Sequence, residues 1–317
     1  MIFMAYVKDF KWTKGMKVED LVSSLGNVGF QSIELGKAAD TIIKMKETGA
    51  KIFFTFTSNM VTSGLRGFFA QLIKLKMADV IVTTVGGIEE DIMRAFGEKF
   101  IIGGFRTDDV ELYEKGINRV GNLFITNKSY EKFEELIRGI LKKIYQKQKA
   151  WVVSDMLKEI GLMIDDENSI LHQAAKNNVP IFCPAITDGA FGFHLFMFKQ
   201  DNPDFVVDIV KDFANILFST NQDEKKGVIC LGGGVSKHHA IFACLLNGGL
   251  DYAVYMTTST EYSGSMSGAS TSEAKSWGKI KDDSDIATVI GDVSITFPLV
   301  MTKVLEELSK KGVIKAD

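Results

Sequence analysis

The stretch that decides the fold is residues 51–90, KIFFTFTSNMVTSGLRGFFAQLIKLKMADVIVTTVGGIEE. It contains two short apolar runs rich in β-favouring residues, KIFFTFT and VIVTT, which predict buried strands. Each run is followed by a polar or glycine turn and then by a helix-forming segment, over residues 65–75 in the first case and from about Ile88 in the second. Strand, turn and helix in alternation are typical of a parallel sheet with helices on both faces. The stretch therefore predicts a doubly wound α/β fold.

The same alternation extends through the rest of the chain. Amphipathic helices are predicted over residues 18–25, 37–48, 130–147 and 205–218, with shorter ones at 153–160 and 169–177. Residues 100–122 are glycine-rich and are predicted to be irregular. Further strands are predicted over residues 180–185, 227–231, 251–256 and 287–290, and further helices over 238–246 and 297–308. Because no linker, repeat or change in composition divides the chain, we predict a single Rossmann-like α/β domain over residues 1–317, with a short lead-in over about 1–15 and a mainly parallel sheet.

Composition excludes several functional classes. The chain has 317 residues, of which 46% are hydrophobic and 24% charged, and its net charge is −3. No basic field for nucleic-acid binding is present, and no apolar run reaches the roughly 18 residues that a membrane helix needs. The N-terminus lacks the pattern of a signal peptide. The three cysteines lie in apolar settings without a CxxC pair, which predicts reduced thiols and a cytoplasmic protein.

Polar and glycine residues follow the predicted strands, where ligands of doubly wound sheets bind. They are Ser58, Asn59, Thr84, Gly86, Glu89, Glu90, Asp188, Gly232, Gly233, Gly234 and Asp292, together with the long loop that begins near Thr257. Glycines allow a ligand to approach the backbone, helix N-termini favour phosphate, and two carboxylates could hold ribose hydroxyls. This pattern resembles a dinucleotide site, although no GxGxxG motif occurs. Taken alone, the three glycines are a weak signal and favour a tight turn over a ligand site.

The loop TTSTEYSGSMSGASTSEAKSWGKI, residues 257–280, is long and rich in small residues, which is uncommon outside functional loops. It ends near Lys279, a candidate covalent nucleophile if a pocket desolvates its amine; the alternative is an ordinary surface lysine. Trp277 could form a wall of that pocket, and Glu273 could anchor a cationic group. His238 suits proton transfer, but it could also have a structural role at a helix start. Since His172 and His194 are the only histidines besides the pair 238–239, the sequence predicts no metal site.

Seven blocks of the sequence resemble the deoxyhypusine synthase family, in order and at similar spacing, from about residue 7 to residue 305. They are SNMVTSGLR, VTTVGGIEED, GINRVGNL, PIFCPAITDGAFG, LGGGVSKHH, DYAVYMTTSTEYSGSMSGA and EAKSWGKI. The resemblance is to compact, archaeal-like members. It implies a cytoplasmic transferase of doubly wound α/β fold, assembled as a homotetramer (a dimer of dimers) with sites at dimer interfaces. It also implies NAD as cofactor, spermidine as amine substrate and the translation factor 5A precursor as protein partner.

The resemblance also implies a role for individual residues. Lys279 corresponds to the lysine that carries the 4-aminobutyl group of spermidine as an imine before its transfer to a lysine of the precursor. His238, Trp277 and Glu273 correspond to spermidine-site residues, with His238 assigned to the catalytic group. The positions that correspond to the NAD site are Ser58, Asn59, Thr84, Gly86, Glu89, Glu90, Asp188, Gly232, Gly233, Gly234, Thr258 and Asp292.

Four positions of the implied amine pocket depart from the family pattern. Phe193, Ser263 and Met266 stand where carboxylates are usual, and Phe242 stands in place of an asparagine. Each lost carboxylate removes a charge-assisted partner for a polyamine. Three explanations remain open: other carboxylates bind spermidine, the amine is a different one, or a second paralogue completes the site in a mixed oligomer. The alternative functions are accordingly a homospermidine synthase-like transfer to a small amine, or a regulatory subunit.

Overall fold

The computed structural model describes residues 6–315. The chain divides into two compact units. The first unit contains the described residues up to Thr55, the segment Leu75–Ala78 and the described residues from Leu217 onward, and the second unit contains the remainder. The predicted single domain over residues 1–317 stays a prediction. Within the predicted lead-in, residues 6–15 contain no helix or strand.

The first unit is an α/β structure built on neighbouring strands in the order β11-β10-β9-β1. β10 is parallel to both β9 and β11. Its strands are β1 (Lys51–Phe56, of which the last residue belongs to the second unit), β9 (Lys226–Leu231), β10 (Leu250–Thr257) and β11 (Ile280–Ile290). Its helices are α1 (Val18–Leu25), α2 (Gln31–Glu47), α12 (Gly234–Leu245), α13 (Thr271–Ser276) and α14 (Val293–Lys310), and a 3-10 turn spans Glu261–Ser263.

The second unit combines helices with three short sets of paired strands. β2 (Val80–Thr83) is parallel to β7 (Ile181–Phe182), and β6 (Ala150–Val152) is parallel to β8 (Val206–Asp208). β5 (Leu123–Thr126) pairs antiparallel with β3 (Ile101–Ile102) and β4 (Ile117–Val120). Its helices are α3 (Ser58–Met60), which continues through a π-helical turn over Val61–Leu65 into α4 (Arg66–Lys74), α5 (Val85–Ala95), α6 (Asp109–Glu114), α7 (Asn127–Lys147), α8 (Val153–Leu162), α9 (Ile170–Lys176), α10 (Ala190–Asp201) and α11 (Ile209–Leu217).

The α/β class and the parallel pairing are confirmed, and several local predictions need correction. Residues 100–122 are not wholly irregular, because they include β3, α6 and β4. The helix predicted over residues 205–218 starts later, after the strand β8. Helix α10 was not predicted, because its sequence AFGFHLFMFKQD is apolar on all sides and has no 3.6-residue period. The strand predicted over residues 287–290 begins seven residues earlier, at Ile280. The prediction missed the first half of β11 because polar residues fill it.

The parallel register places three candidate loops side by side in the first unit. Met256 of β10 pairs with Leu231 of β9, and Thr257 pairs with Ile290 of β11. The carboxyl ends of these strands are therefore level, as expected at the ligand-binding edge of a doubly wound sheet. All six residues of β9 are buried. A strand covered on both faces in this way explains the continuous apolar run that predicted it.

The cysteines are free and buried, as predicted: Cys183, Cys230 and Cys244. Burial raises the pKa of the Cys230 thiol to about 11, so the side chain behaves as a small apolar group. Among the described residues, none of the helices is both long and apolar enough to cross a membrane.

Candidate active site

Lys279 is held in place by the way helix α13 ends. The helix begins at Ser270, whose hydroxyl accepts a hydrogen bond from the Glu273 N–H at 3.2 Å. It ends in a Schellman motif: the Gly278 N–H donates to the Lys275 carbonyl at 2.9 Å and the Lys279 N–H to the Ala274 carbonyl at 3.1 Å. Gly278 has φ of +67°, which glycine adopts without strain. The motif turns the chain into β11 and points Lys279 back toward the helix.

The side chain of Lys279 is buried and lines a cavity of about 250 Å³. Only 6% of the residue is exposed, so the alternative of an ordinary surface lysine does not hold. Its Nζ lies 5.0 Å from the centre of the Trp277 ring, at cation–π distance. The cavity brings together five predicted residues, namely His238, Met266, Glu273, Trp277 and Lys279, with Ile241, Gly264, Ala269, Ser270 and Ala274 among the others.

His238 lies on the second turn of α12 and contacts Phe242. The two rings are stacked with their centres 5.7 Å apart, so Phe242 packs against one face of the His238 ring. Phe242 is not among the residues that line the cavity. Burial first, and the charge of Lys279 second, lower the pKa of His238 below its ordinary value. The imidazole is therefore neutral near pH 7 and can accept a proton. Ser263 is exposed in the 3-10 turn, where its hydroxyl is 2.9 Å from that of Ser265.

Two residues of the cavity were missed by the sequence interpretation, Lys237 and Tyr255. Lys237 is 1% exposed, and its Nζ donates to the carbonyls of Met266 at 3.0 Å and Ala269 at 2.7 Å. The same ammonium lies 3.9 Å from the centre of the Tyr255 ring. The buried hydroxyl of Tyr255 has no hydrogen-bond partner in the described structure. One sequence feature could have identified both Lys237 and Tyr255: a polar side chain near the end of a buried strand or near the start of the helix that follows it.

The cofactor candidates of the first unit follow β9, β10 and β11. Gly233 caps α12, and a Cβ at this position would lie 2.2 Å from the Ser267 Cα, so only glycine fits against the loop. Gly232 and Gly234 have φ of +83° and +69°. Thr258 is exposed at the end of β10. The carboxylate of Asp292 caps α14, accepting from the Ser294 N–H at 2.8 Å, so this residue already has a structural role.

The cofactor candidates of the second unit cluster where β1 and β2 end. The Ser58 N–H donates to the Thr84 hydroxyl at 3.0 Å. A Cβ on Gly86 would lie 2.8 Å from the Ser58 Cβ, so the two turns need a glycine to approach each other. Glu89 Oε2 accepts from the Phe191 N–H at 3.0 Å, and Glu90 Oε2 accepts from the Thr62 hydroxyl at 2.6 Å. Asn59, which accepts from the Thr57 hydroxyl, is exposed in the turn after β1, and Asp188 is exposed in the segment that follows β7.

Glu89 and Glu90 form a buried carboxylate pair on α5. They are 8% and 6% exposed. Burial raises the pKa of both side chains, and for Glu90, with the neighbouring charge of Glu89 as a further cause, it rises to about 8. Carboxyl oxygens of this kind can accept hydrogen bonds from the hydroxyls of a diol such as a ribose. The close approach of Gly86 to Ser58 and the hydrogen-bond acceptors of this carboxyl pair are chemically suited to binding a dinucleotide.

Phe193 belongs to the second unit and lies on α10. Its ring is 56% exposed, with its centre 5.5 Å from that of His194 and 6.4 Å from that of Phe196. Its predicted place in the amine pocket stays a prediction. In the part of the chain that the structure covers, residues 6–315, no cluster of three or more metal-ligating side chains occurs.

Comparison with known proteins identifies relatives over nearly the whole chain. The family model for deoxyhypusine synthase matches residues 20–304. A probable deoxyhypusine synthase of Thermoplasma volcanium is 40% identical, covering 94% of this chain and 97% of the relative. A probable deoxyhypusine synthase of Schizosaccharomyces pombe is 41% identical, covering 90% of this chain and 87% of the relative.

The fold comparison agrees with the sequence comparison. The crystal structure of a putative deoxyhypusine synthase from Entamoeba histolytica is similar, with a TM-score of 0.68 and 31% identity over 95% of this chain and 97% of that one. A conserved putative LOR/SDH protein from Methanococcus maripaludis S2 has a TM-score of 0.51 at 15% identity. At that identity the likeness concerns the fold alone.

Proposed function

Because this chain belongs to the deoxyhypusine synthase family and is a transferase of that family, we propose that it transfers the 4-aminobutyl group of spermidine, or of a related amine, to a lysine of the translation factor 5A precursor. The observation that carries the proposal is the burial of Lys279 in the cavity that also contains Glu273 and His238. A buried lysine beside a carboxylate and a neutral histidine has what a covalent amine carrier needs.

Each of these residues has a separate task in the proposed reaction. Glu273 binds a terminal ammonium group of the amine, and the Trp277 face covers the methylene chain. Lys279 attacks the imine carbon, forming a new C–N bond as the bond to the leaving amine breaks. His238, neutral near pH 7, accepts the proton that Lys279 must lose and returns it to the leaving amine. The aminobutyl group then passes from Lys279 to the acceptor lysine by a second exchange of the same kind.

We also propose NAD as the cofactor. It supplies the two-electron oxidation that makes an imine from the secondary amine, and in reduced form it returns those electrons at the end. Within the second unit, Glu89 and Glu90 are the residues that we propose for the ribose hydroxyls. Gly232 to Gly234 of the first unit stay predicted phosphate-site residues, because they lie at the start of α12. The close approach of Gly86 to Ser58 supports the same assignment, since a larger residue would fill the turn.

The proposal extends to assembly and location. We propose a homotetramer, a dimer of dimers with sites at the dimer interface, because Trp277 is 67% exposed at the cavity and would be covered by a second copy. The cytoplasmic location also stays a prediction, supported by the buried free thiols.

The deciding experiment separates the proposed function from its alternatives. The protein is incubated with NAD and spermidine labelled in the aminobutyl group, with the factor 5A precursor or with putrescine as acceptor. Label on the precursor supports deoxyhypusine synthesis, whereas label on putrescine favours the homospermidine synthase-like reaction. A folded protein that forms no NADH with any amine would favour the regulatory-subunit alternative and contradict the proposal.

The nucleophile is tested by Lys279→Ala. We expect transfer to the precursor to fall to below about one thousandth of the original rate, because the amine proposed to carry the group is removed. The control is Lys275→Ala, four residues earlier, whose ammonium donates only to the Asp282 carbonyl among the described contacts. Mass spectrometry of the borohydride-reduced protein should find the aminobutyl adduct on Lys279. Undiminished transfer by Lys279→Ala would show that the assignment is wrong.

A further inference from the structure

The second unit contains a cavity that the proposed reaction does not use. It lies in the groove between α7 and α10 and has a volume of about 530 Å³. Its lining includes Arg138, Lys142 and Tyr145 on α7, and His194, Met197 and Phe198 on α10. Spacings of three or four residues place each set on one face of its helix. The groove is therefore formed by two regular helices of one unit rather than by loops.

His194 is the buried polar group of this groove. Only 8% of the residue is exposed. Its ring packs against Phe133 and Phe193, with the ring centres 5.7 Å and 5.5 Å away. Within residues 6–315, neither ring nitrogen has a hydrogen-bond partner, although an imidazole carries two polar nitrogens. Since buried polar groups are normally hydrogen-bonded, an unpaired imidazole that opens into a cavity points to a ligand.

The polar wall beside His194 is cationic. The Lys142 ammonium has no ion-pair or hydrogen-bond partner in the described part of the chain. The Arg138 guanidinium pairs with Glu134 through one nitrogen at 2.6 Å, which leaves its other N–H groups available. Burial is the first cause that lowers the pKa of His194; Glu134 opposes this effect and Arg138 adds to it. The imidazole is therefore neutral near pH 7 and can donate one N–H to an anion.

The groove continues from this cationic end along an apolar surface. The rings of Tyr145 and Phe198 meet edge to face with their centres 5.7 Å apart, and Met197 adds a flexible thioether beside them. Among the described residues that line the groove, the carboxylate is Asp201. It follows His194 by seven residues, which is about 10 Å along the helix at roughly 1.5 Å per residue. An anion at the cationic end is therefore kept apart from Asp201.

We propose that the groove between α7 and α10 binds a small organic carboxylate with a flat apolar body. The carboxylate pairs with Arg138 and Lys142 and accepts the N–H of His194. The apolar body lies against Phe198 and Tyr145. The inference is independent of the proposed aminobutyl transfer, because the groove includes no residue of the Lys279 cavity and none of the predicted cofactor site.

The test follows His194 by NMR in the unaltered protein. The chain has four histidines, so the imidazole signals are few, and His194→Gln identifies the relevant one. The probes are 3-phenylpropionate, 3-phenylpropionamide, which keeps the ring without the charge, and acetate, which keeps the charge without the ring. We expect 3-phenylpropionate to shift the His194 signals saturably and to raise its pKa, because a nearby anion favours the imidazolium. The other two probes should bind at least about tenfold more weakly.

Arg138→Gln tests the charge of the groove. Lys143→Gln is the matched control, because Lys143 is exposed on α7 and does not line the groove. We expect Arg138→Gln to raise the Kd of 3-phenylpropionate by about tenfold or more, and Lys143→Gln to change it by less than about twofold. Thermal unfolding establishes that each variant is folded. Lys142→Gln provides the same test if Arg138→Gln does not fold.

Three results would overturn the inference. The first is equal affinity for the amide and the carboxylate, and the second is an unchanged Kd in both Arg138→Gln and Lys142→Gln. The third is a His194 signal that no probe moves, as would follow if a second copy of the chain filled the groove; sedimentation of Arg138→Gln would then detect a change in oligomeric state. Since neither amine nor NAD is used, failure of the proposed function would leave the binding result unaffected.

Discussion

At the scale of single residues, the chemistry of this protein depends on polar side chains placed in apolar surroundings. Lys279, Lys237 and Glu90 are all buried, and each is a residue type that is normally exposed. Burial changes what they can do: the Glu90 carboxyl, with its pKa raised to about 8, is protonated near neutrality. A buried group with a perturbed pKa, as Glu90 has, is a candidate functional residue.

Glu90 gives a prediction about pH. Its folded pKa of about 8 lies above the ordinary value of 4.5, so its contribution to stability is complete below pH 4.5 and is lost as pH rises through 8. The free energy of unfolding should therefore decrease over this window by up to a few kcal/mol, and Glu90→Gln should flatten the dependence. Urea unfolding at a series of pH values measures both.

The same residue predicts the opposite trend for the cofactor. Holding ribose hydroxyls requires the ionised carboxylate, so NAD affinity should increase as pH rises toward 8, and Glu90→Gln should weaken binding and remove the trend. The control is Glu135→Gln on the exposed face of α7. For the stability prediction, the contradicting outcome is a free energy of unfolding of Glu90→Gln that varies with pH as it does in the unaltered protein. That result would show that Glu90 is not the group that titrates.

At the scale of elements, helix α13 shows how a short segment positions Lys279, the candidate nucleophile. Six residues are too few for a stable isolated helix. Specific capping interactions therefore define both of its ends. Ser270 and Glu273 have the S-x-x-E spacing of a capping box, with the Ser270 hydroxyl accepting from the Glu273 N–H, and Gly278 provides the left-handed residue of the Schellman motif. Both signals are readable in the sequence, so the helix could have been predicted within the loop.

Gly278→Ala tests this element. The left-handed conformation costs a non-glycine residue about 1–2 kcal/mol, so we expect stability to fall by that order and transfer activity to fall with the displacement of Lys279. Gly139→Ala is the matched control, because Gly139 lies inside α7 with open space around its Cα. That change should raise stability by about 0.5–1 kcal/mol. A Gly278→Ala protein of unchanged Tm and activity would contradict the role given to the motif.

At the scale of the whole molecule, buried polar junctions connect helices that are distant in sequence. The largest is in the second unit, where Asp91 of α5 accepts from the Arg66 guanidinium of α4, from the Ser169 hydroxyl at 2.8 Å and from the Leu171 N–H at 2.8 Å. Asp91 is 1% exposed. Since it lies next to Glu90, this junction also fixes the direction in which α5 presents the carboxylate pair.

Asp91→Asn should destabilise the protein strongly. Removing the Asp91 carboxylate leaves the buried Arg66 guanidinium with Asp166 as its remaining ion-pair partner at 2.7 Å, so the loss should approach but not exceed the cost of about 3–5 kcal/mol seen when a buried pair is broken. The control is Asp109→Asn, which removes the exposed partner of Arg119 and should leave stability nearly unchanged. Chemical denaturation measures the difference between the two variants. Equal, small effects would mean that the junction contributes packing but little electrostatic free energy.

The sequence predicted much of this fold because the strands of a parallel sheet are buried on both faces. Runs such as KIFFTF and GVICL are continuous in apolar residues for that reason, and their bounds were predicted within a residue or two. Helix α10 escaped prediction because it has no polar face, and the first half of β11 escaped because it is polar. In both cases tertiary contacts, which periodicity does not record, determine the structure.

The sequence by itself determined the α/β class, the family and the identity of the candidate nucleophile, because these follow from local pattern and from motifs that are contiguous in the chain. Only the tertiary structure decided that Lys279 is buried, that Lys237 and Tyr255 share its cavity, and that a single carboxylate among the described residues faces them. Burial and the balance of charge depend on which loops and helices meet in space. Lys279 was therefore predictable from sequence as a candidate nucleophile, whereas its burial and the side chains that share its cavity were not.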